Sequence, residues 1–311
     1  MADMQHQTMI VWLAGGLGNQ LFQFAFGRAI SIKTGANVLF DSSAYHRPDQ
    51  DRRYVLDKFG LKLPLIQQNV NINFDKGEVN VRSPRSFNFL KSTSERKFRL
   101  YPERKNFCFE PEAFNPRVDS YFRGYWQAHQ YLADCNDTIV AEIHLPFFDL
   151  DEVGHGWLAR IQNTAAVGVH VRRGDYLNPH THSYHGLCDV RYYRAAIALL
   201  RRRLPAAEFF VFSDDPAWCR QALFDDQVYV IDLHPPDLGH LDLALMASCR
   251  HHIIANSSFS WWAAWLARHH AQIVVAPTPW TTQDGPTPDL FPAEWIVLDR
   301  ATGESPVPHQ L

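Results

Sequence analysis

The sequence predicts an α/β protein with parallel sheets covered by helices on both faces. Three observations predict it. The chain opens with a short apolar run, a glycine turn, a helical pattern and a second short run. In its second half, short apolar runs alternate with segments of helical period, as in strand–helix–strand units. Its 311 residues, at roughly 150 per domain, favour two domains with cores of their own.

Residues 9–14 read as a buried strand entering the turn Gly15-Gly16-Leu17-Gly18-Asn19-Gln20. A helix over 21–33 is apolar around most of its circumference, with Lys33 in the last turn and Gly35 as its stop. Residues 37–40 form the next strand, closing at Asp41. From 42 to about 115 the pattern is weak and rich in Arg and Lys, and it reads as irregular. Order returns at Ser120 to Gln127, followed by a helix over 137–145. Residues 167–171 are a strand. Asp189 caps a helix to Arg203, stopped by Pro205. Strands over 208–212, 228–231, 252–255 and 273–275 then alternate with helices starting at Asp215-Pro216, Leu241 and Ser260. The Pro-rich stretch 277–292 reads as a crossing segment before a last strand, 295–298.

Composition sets limits. The formal net charge of -3 argues against a surface that grips nucleic acid, but not against a local basic pocket. Five Cys, scattered and without C-x-x-C spacing, indicate neither a disulfide scaffold nor a structural zinc site. No run approaches the ~20 apolar residues of a membrane span, and the N-terminus shows no signal peptide. The expectation is a protein of a reducing compartment with no integral membrane span.

In open parallel sheets, ligands bind beyond the carboxyl ends of strands, so the residues following each strand are the candidates. After Val171 comes Arg172-Arg173-Gly174-Asp175-Tyr176. His170 and Arg172, two apart on a strand, share a face, and Arg173 points the other way unless the turn has begun. Asp175 can fix one guanidinium by a bidentate pair, leaving it suited to a phosphate or diphosphate; the alternative is a structural Arg–Asp pair. Asn256-Ser257-Ser258 opens a helix whose N-terminus could hold an anion or simply be capped. Asp215 before Pro216 fits a cap, which leaves Asp214 free to accept from the N1–H and N2–H₂ edge of guanine. A competing dinucleotide-binding reading of the first turn fails at Leu21, where the G-x-G-x-x-G fingerprint needs glycine. His180, His182 and His185 could ligate a metal, or sit in a solvated lid loop.

Together, Gly15-Gly16-Leu17-Gly18-Asn19-Gln20-Leu21-Phe22-Gln23, His170-Val171-Arg172-Arg173-Gly174-Asp175-Tyr176, Phe212-Ser213-Asp214-Asp215 and Asn256-Ser257-Ser258-Phe259-Ser260-Trp261-Trp262 resemble the α-1,2-fucosyltransferases of glycosyltransferase family 11. Gly124-Tyr125-Trp126-Gln127 is similar to a further family segment. The resemblance implies a GT-B-like fold of two Rossmann-type domains facing a cleft. An acceptor-side domain would span 1–158 and a GDP-fucose-binding domain 159–285, with 286–311 crossing back to the first. It implies inverting transfer of fucose from GDP-β-L-fucose to the 2-OH of a terminal galactose, with no metal and no cofactor. Arg172 would contact the β-phosphate, with Arg173 and Asp175 in support. His170 and Asp214 would read guanosine, and Ser257 and Ser258 would cradle phosphate. Gly16, Gly18 and Asn19 would line the donor near fucose or the acceptor, and Trp126 and Gln127 would face the acceptor. Arg172, Asp175 and Asn19 are the catalytic candidates. The expected partners are GDP-fucose and a galactose-terminated glycan, lipid-linked in the case of O-antigen or capsule units, with no nucleic acid. The expected location is cytoplasmic or peripheral at the inner membrane. A fucosyltransferase of another linkage and a dinucleotide-dependent oxidoreductase are the alternatives.

Overall fold

The computed structural model describes residues 7–47, 52–66, 71–82, 95–116, 118–223, 225–267 and 269–306. It divides into two units, Met1–His144 with Pro288–Leu290, and Leu145–Thr287 with Phe291–Leu311. Parts of the stretch expected to be irregular (48–51, 67–70, 83–94) and the end of the C-terminal segment (307–311) lie outside the described residues.

The first unit opens with strand β1 (Thr8–Trp12), helix α1 (Leu17–Thr34) and strand β2 (Asn37–Asp41). Helix α1 is buried nearly all round, through Leu21, Phe22, Phe24, Ala25, Phe26, Ala29 and Ile30. Gly27 lets it approach the sheet, because a Cβ there would lie 2.7 Å from the Phe40 ring. Gly35, at φ 71, ends it with an N–H to Ser31 O.

Strands β3 (Asn71–Asp75), β4 (Glu78–Arg82), β5 (Glu95–Pro102) and β6 (Ser120–Arg123) follow, then helix α2 (Asn136–Glu142). The sheet order is β2-β1-β6-β5-β4-β3, with β3, β4 and β5 paired antiparallel and the other neighbours parallel. The stretch expected to be irregular therefore extends this sheet by three strands. Val79, Val81 and Phe98 bury one face of that extension with Ile10 and Tyr121.

The second unit contains α3 (Glu152–Gln162), β7 (Ala165–Val171), α4 (Pro179–His185), α5 (Val190–Arg203), β8 (Ala207–Ser213) and α6 (Pro216–Ala222). β9 (Val228–Ile231), α7 (Gly239–Ala247), β10 (His251–Ile253), α8 (Ser258–Leu266), β11 (Val274–Thr278) and β12 (Ile296–Asp299) complete it. All its strands are parallel, in the order β12-β11-β10-β7-β8-β9. Numbered within the unit and read from its far edge, this is the doubly wound order 3-2-1-4-5-6. Val167, Val169 and Val171 of β7 pack with Tyr192, Ala196 and Leu200 of α5. The opposite face packs on α7, where a Cβ at Gly168 would meet Met246 at 3.0 Å.

Two expectations about division differ from the structure. The boundary at 158/159 falls inside α3, which Asp151 caps by accepting from Gly154 N at 2.7 Å. Trp157 of that helix packs its ring near Phe210 and Tyr229 of the second sheet. Of the C-terminal segment, only Pro288–Leu290 groups with the first unit, and β12 pairs in parallel with β11. The loop carrying the three histidines is helix α4, begun by Pro179 and by Asn178, whose side chain accepts from His180 N at 3.0 Å.

Candidate active site

The second sheet changes winding direction between β7 and β10, and at such a switch point the loops leaving the strand ends diverge and open a crevice. The turn after β7 carries the paired arginines. Arg172 Nη2 lies 2.7 Å from Asp175 Oδ1, and its Nη1 lies 2.9 Å from Asp214 Oδ2. Burial works against this guanidinium's charge, and Asp214 and Asp175 more than offset it, so its pKa is raised. A guanidinium has five N–H donors, so these two contacts leave others for a ligand. Its side chain remains 22% exposed.

Arg173, like Arg172, lies in the turn beyond the end of β7 and has partners of its own. Its Nε donates to Asp215 Oδ2 at 3.1 Å and its guanidinium lies 4.2 Å from the centre of the Trp218 ring. Its backbone N–H donates to Asp214 Oδ1 at 2.8 Å. Gly174 makes room for this arrangement, because a Cβ there would stand 2.8 Å from Asp214 Oδ2. His170 precedes Arg172 on the same face, almost wholly buried, with its ring 5.1 Å from that of Phe259 and its Nδ1 without a hydrogen-bond partner. Burial, helped by the Arg172 charge, pushes its pKa down to about 3, so the imidazole is neutral.

The turn after β10 is tied to the first one. Tyr176 OH donates to Asn256 O at 3.2 Å. The buried Asn256 amide donates to the carbonyls of His185, Gly186 and Trp280, which makes it a structural hub. Arg300 also donates to His185 O, and the His185 ring stacks on Tyr176 at 4.6 Å. Helix α8 follows, with Ser257 at its N-cap and no side-chain cap hydrogen bond. The ordinary capping role of that serine is therefore not used. Among the described residues, no group of three or more His, Cys, Asp or Glu is placed to hold a metal ion.

In the first unit, the glycine turn is bound together by amide side chains. Gly15 has φ +80, and a Cβ there would lie 2.5 Å from Asn19 Nδ2. Over Gly16 a Cβ would meet nothing within 4 Å, whereas Gly18 is buried. Gln23 accepts from Ala14 N and donates to Gly124 O; Gln20 accepts from Val55 N and donates to Arg53 O. Gln127 Nε2 donates to Asn19 Oδ1 at 2.8 Å. Asp41, which the dinucleotide reading would need for a ribose, is buried and accepts from Tyr121 OH and Ser43 N.

The structure thus brings His170, Arg172, Asp175 and Asp214 together at one strand end, and Asn19 and Gln127 together in the first unit. It corrects two expectations, those for Asp214 and Trp126. Asp214 is not a free carboxylate, because both its oxygens are engaged by the arginine turn. Asp175 supports Arg172, while Arg173 is held by Asp215, which also caps α6 by accepting from Trp218 N. Trp126 cannot face an acceptor, because it is fully buried and stacked 4.2 Å from Phe26. Sequence reasoning missed Asp215 as an arginine partner and Tyr176 as the link to Asn256, since each contact spans at least 42 residues.

A family model described as Glycosyl transferase family 11 matches residues 7–299. An alpha-1,2-colitosyltransferase of Escherichia coli is 32% identical over 306 residues, spanning 94% of this chain and 99% of that protein. The O-antigen biosynthesis glycosyltransferase WbnK of Escherichia coli is 29% identical, over 86% of this chain and 93% of that protein. A galactoside alpha-(1,2)-fucosyltransferase of Bos taurus is 33% identical over 44% of this chain and 40% of its own length.

Proposed function

The chain belongs to glycosyl transferase family 11, and from that premise we propose that it transfers L-fucose from GDP-β-L-fucose to the 2-OH of a terminal galactose, with inversion and without a metal. The acceptor is a bacterial O-antigen or capsule unit. The observation that carries this reading is Arg172, fixed by two carboxylates at the switch point of a fully parallel sheet.

Charge explains the chemistry. The bond from the sugar C1 to the diphosphate oxygen breaks, and its electron pair leaves with GDP. The acceptor oxygen bonds to C1 from the opposite face, and its proton passes to solvent. Arg172 and the N-terminus of α8, with Ser257 and Ser258, stabilise the growing diphosphate charge, the role a metal would otherwise fill. Asp175 and Asp214 keep the guanidinium aimed and spare it reorganisation during the reaction. Arg173 acts through its backbone N–H and its Asp215 pair. His170, neutral and with Nδ1 unpartnered, reads guanosine beside Asp214, whose oxygens each retain a lone pair. Asn19, oriented by Gln127, serves the sugar side, and Gly16 leaves its face of the turn open for close approach. A loose, oxocarbenium-like transition state lowers the demand on a general base, and no side chain is singled out for that part.

A second donor is favoured by one observation, the near full-length similarity to an alpha-1,2-colitosyltransferase. In that reading the same site takes GDP-colitose. Nucleotide binding tests what both readings share. Titration calorimetry with GDP, ADP, UDP and NAD should give binding for GDP alone, undiminished by EDTA. A preference for NAD, or GDP binding that EDTA abolishes and Mn²⁺ restores, contradicts the proposal.

A further inference from the structure

Glu103 lies outside every motif that points to function, yet it organises the segment that reaches Asn19. Its Oε2 accepts from Tyr125 N at 2.7 Å and its Oε1 from Trp126 N at 3.0 Å. The backbone N–H of Gln127 also favours the charged form of this carboxylate. Two successive N–H groups donating to one carboxylate form an anion nest.

The surroundings are shaped for this contact. At Gly124 a Cβ would stand 2.4 Å from Glu103 Cβ, so only glycine admits the carboxylate. Trp126 has φ 58, a left-handed conformation that costs a tryptophan energy and persists only where neighbours fix it. The nest fixes it on one side and the Phe26 stack, 4.2 Å between ring centres, on the other. Burial pushes the Glu103 carboxyl up to about 7 against the pull of the three N–H groups.

The bend at Trp126 sends the next side chain, Gln127, to Asn19 Oδ1 at 2.8 Å. Asn19 in turn packs under the turn at Gly15, where a Cβ would lie 2.5 Å from its Nδ2. We propose that Glu103 is a positioning residue for transfer, holding the 125–127 backbone so that Gln127 orients Asn19 toward the sugar. This rests on the reading of Asn19 as a sugar-side residue.

The test is a double-mutant cycle on kcat/KM with Glu103→Gln and Gln127→Ala, with GDP affinity measured for each. A glutamine at 103 places an N–H₂ against the nest donors and so loosens the bend. Each single variant should lose roughly 10- to 100-fold in kcat/KM, with GDP affinity unchanged, and the double variant should be no worse than Gln127→Ala. Additive losses, or a loss of GDP affinity equal to the loss of kcat/KM, overturn the proposal. Hydrogen exchange at the 125–127 amides provides a readout that needs no activity. It should accelerate in Glu103→Gln while exchange in the second unit stays unchanged, and unaltered exchange at 125–127 overturns the proposal even if the wild type transfers no sugar.

Discussion

Replacing Arg172 by lysine preserves its charge and removes its geometry. Arg172 uses two separate nitrogens, one 2.7 Å from Asp175 and one 2.9 Å from Asp214. A lysine has one nitrogen on a flexible stem, and it cannot face both carboxylates and a diphosphate at once. The long-range attraction for GDP survives, because the charge does. The loss falls on the oriented donor that meets charge growing on the leaving group. Removing one such preorganised donor costs about 3 kcal/mol, or roughly 10²- to 10³-fold in kcat. GDP affinity should fall less, by about tenfold. Initial rates of GDP release give kcat and KM, calorimetry gives affinity, and a thermal melt confirms folding. A lysine variant within about threefold of wild-type kcat/KM would refute the assignment of Arg172 to the leaving group.

Two further outcomes follow from the same turn. Asp214→Asn retains one oxygen for two donors and turns its N–H₂ against the other, so GDP affinity should fall roughly 10- to 100-fold. Comparing GDP with IDP, which lacks the 2-amino group, separates the roles: equal losses mean that Asp214 only fixes Arg172, and lost preference for GDP means that it also reads the base. Unchanged affinity for both contradicts either role. His170 has a folded pKa of about 3 against the usual 6.5, and His252, equally buried, is lowered to about 4. The unfolded chain then binds more protons between these values, so stability is full above pH 6.5 and is lost as pH falls toward 3. Urea midpoints should drop between neutral pH and about pH 5, and His170→Phe should flatten that drop; an unchanged slope would contradict the burial of a neutral imidazole.

Much of the second unit was legible because its strands are short apolar runs and its helices announce their ends. Asp189 caps α5 by accepting from Arg191 N, and Arg201 to Arg203 occupy its last turn. Once those strands lie in one parallel sheet, the strand-end rule finds Arg172 without further help. The first unit hid more. Glu78-Val79-Asn80-Val81-Arg82 does alternate, but over only five residues between polar neighbours, even though its hairpin partner β3 is just the turn Lys76-Gly77 away. Helix α4 is Pro-His-Thr-His-Ser-Tyr-His, with no apolar stripe to mark it. The pairing of Asp214 with Arg172, and the burial of Trp126 behind Phe26, depend on contacts that no local pattern encodes.

The central claim is tested most directly by product analysis. The purified protein is given GDP-fucose and GDP-colitose in parallel with a panel of galactosides, and the product linkage is assigned by NMR. The account predicts GDP release coupled to an α-1,2 linkage on terminal galactose, with fucose as the preferred donor and no requirement for added metal. Transfer to another hydroxyl, transfer of colitose alone, or no transfer from either GDP-sugar would contradict it.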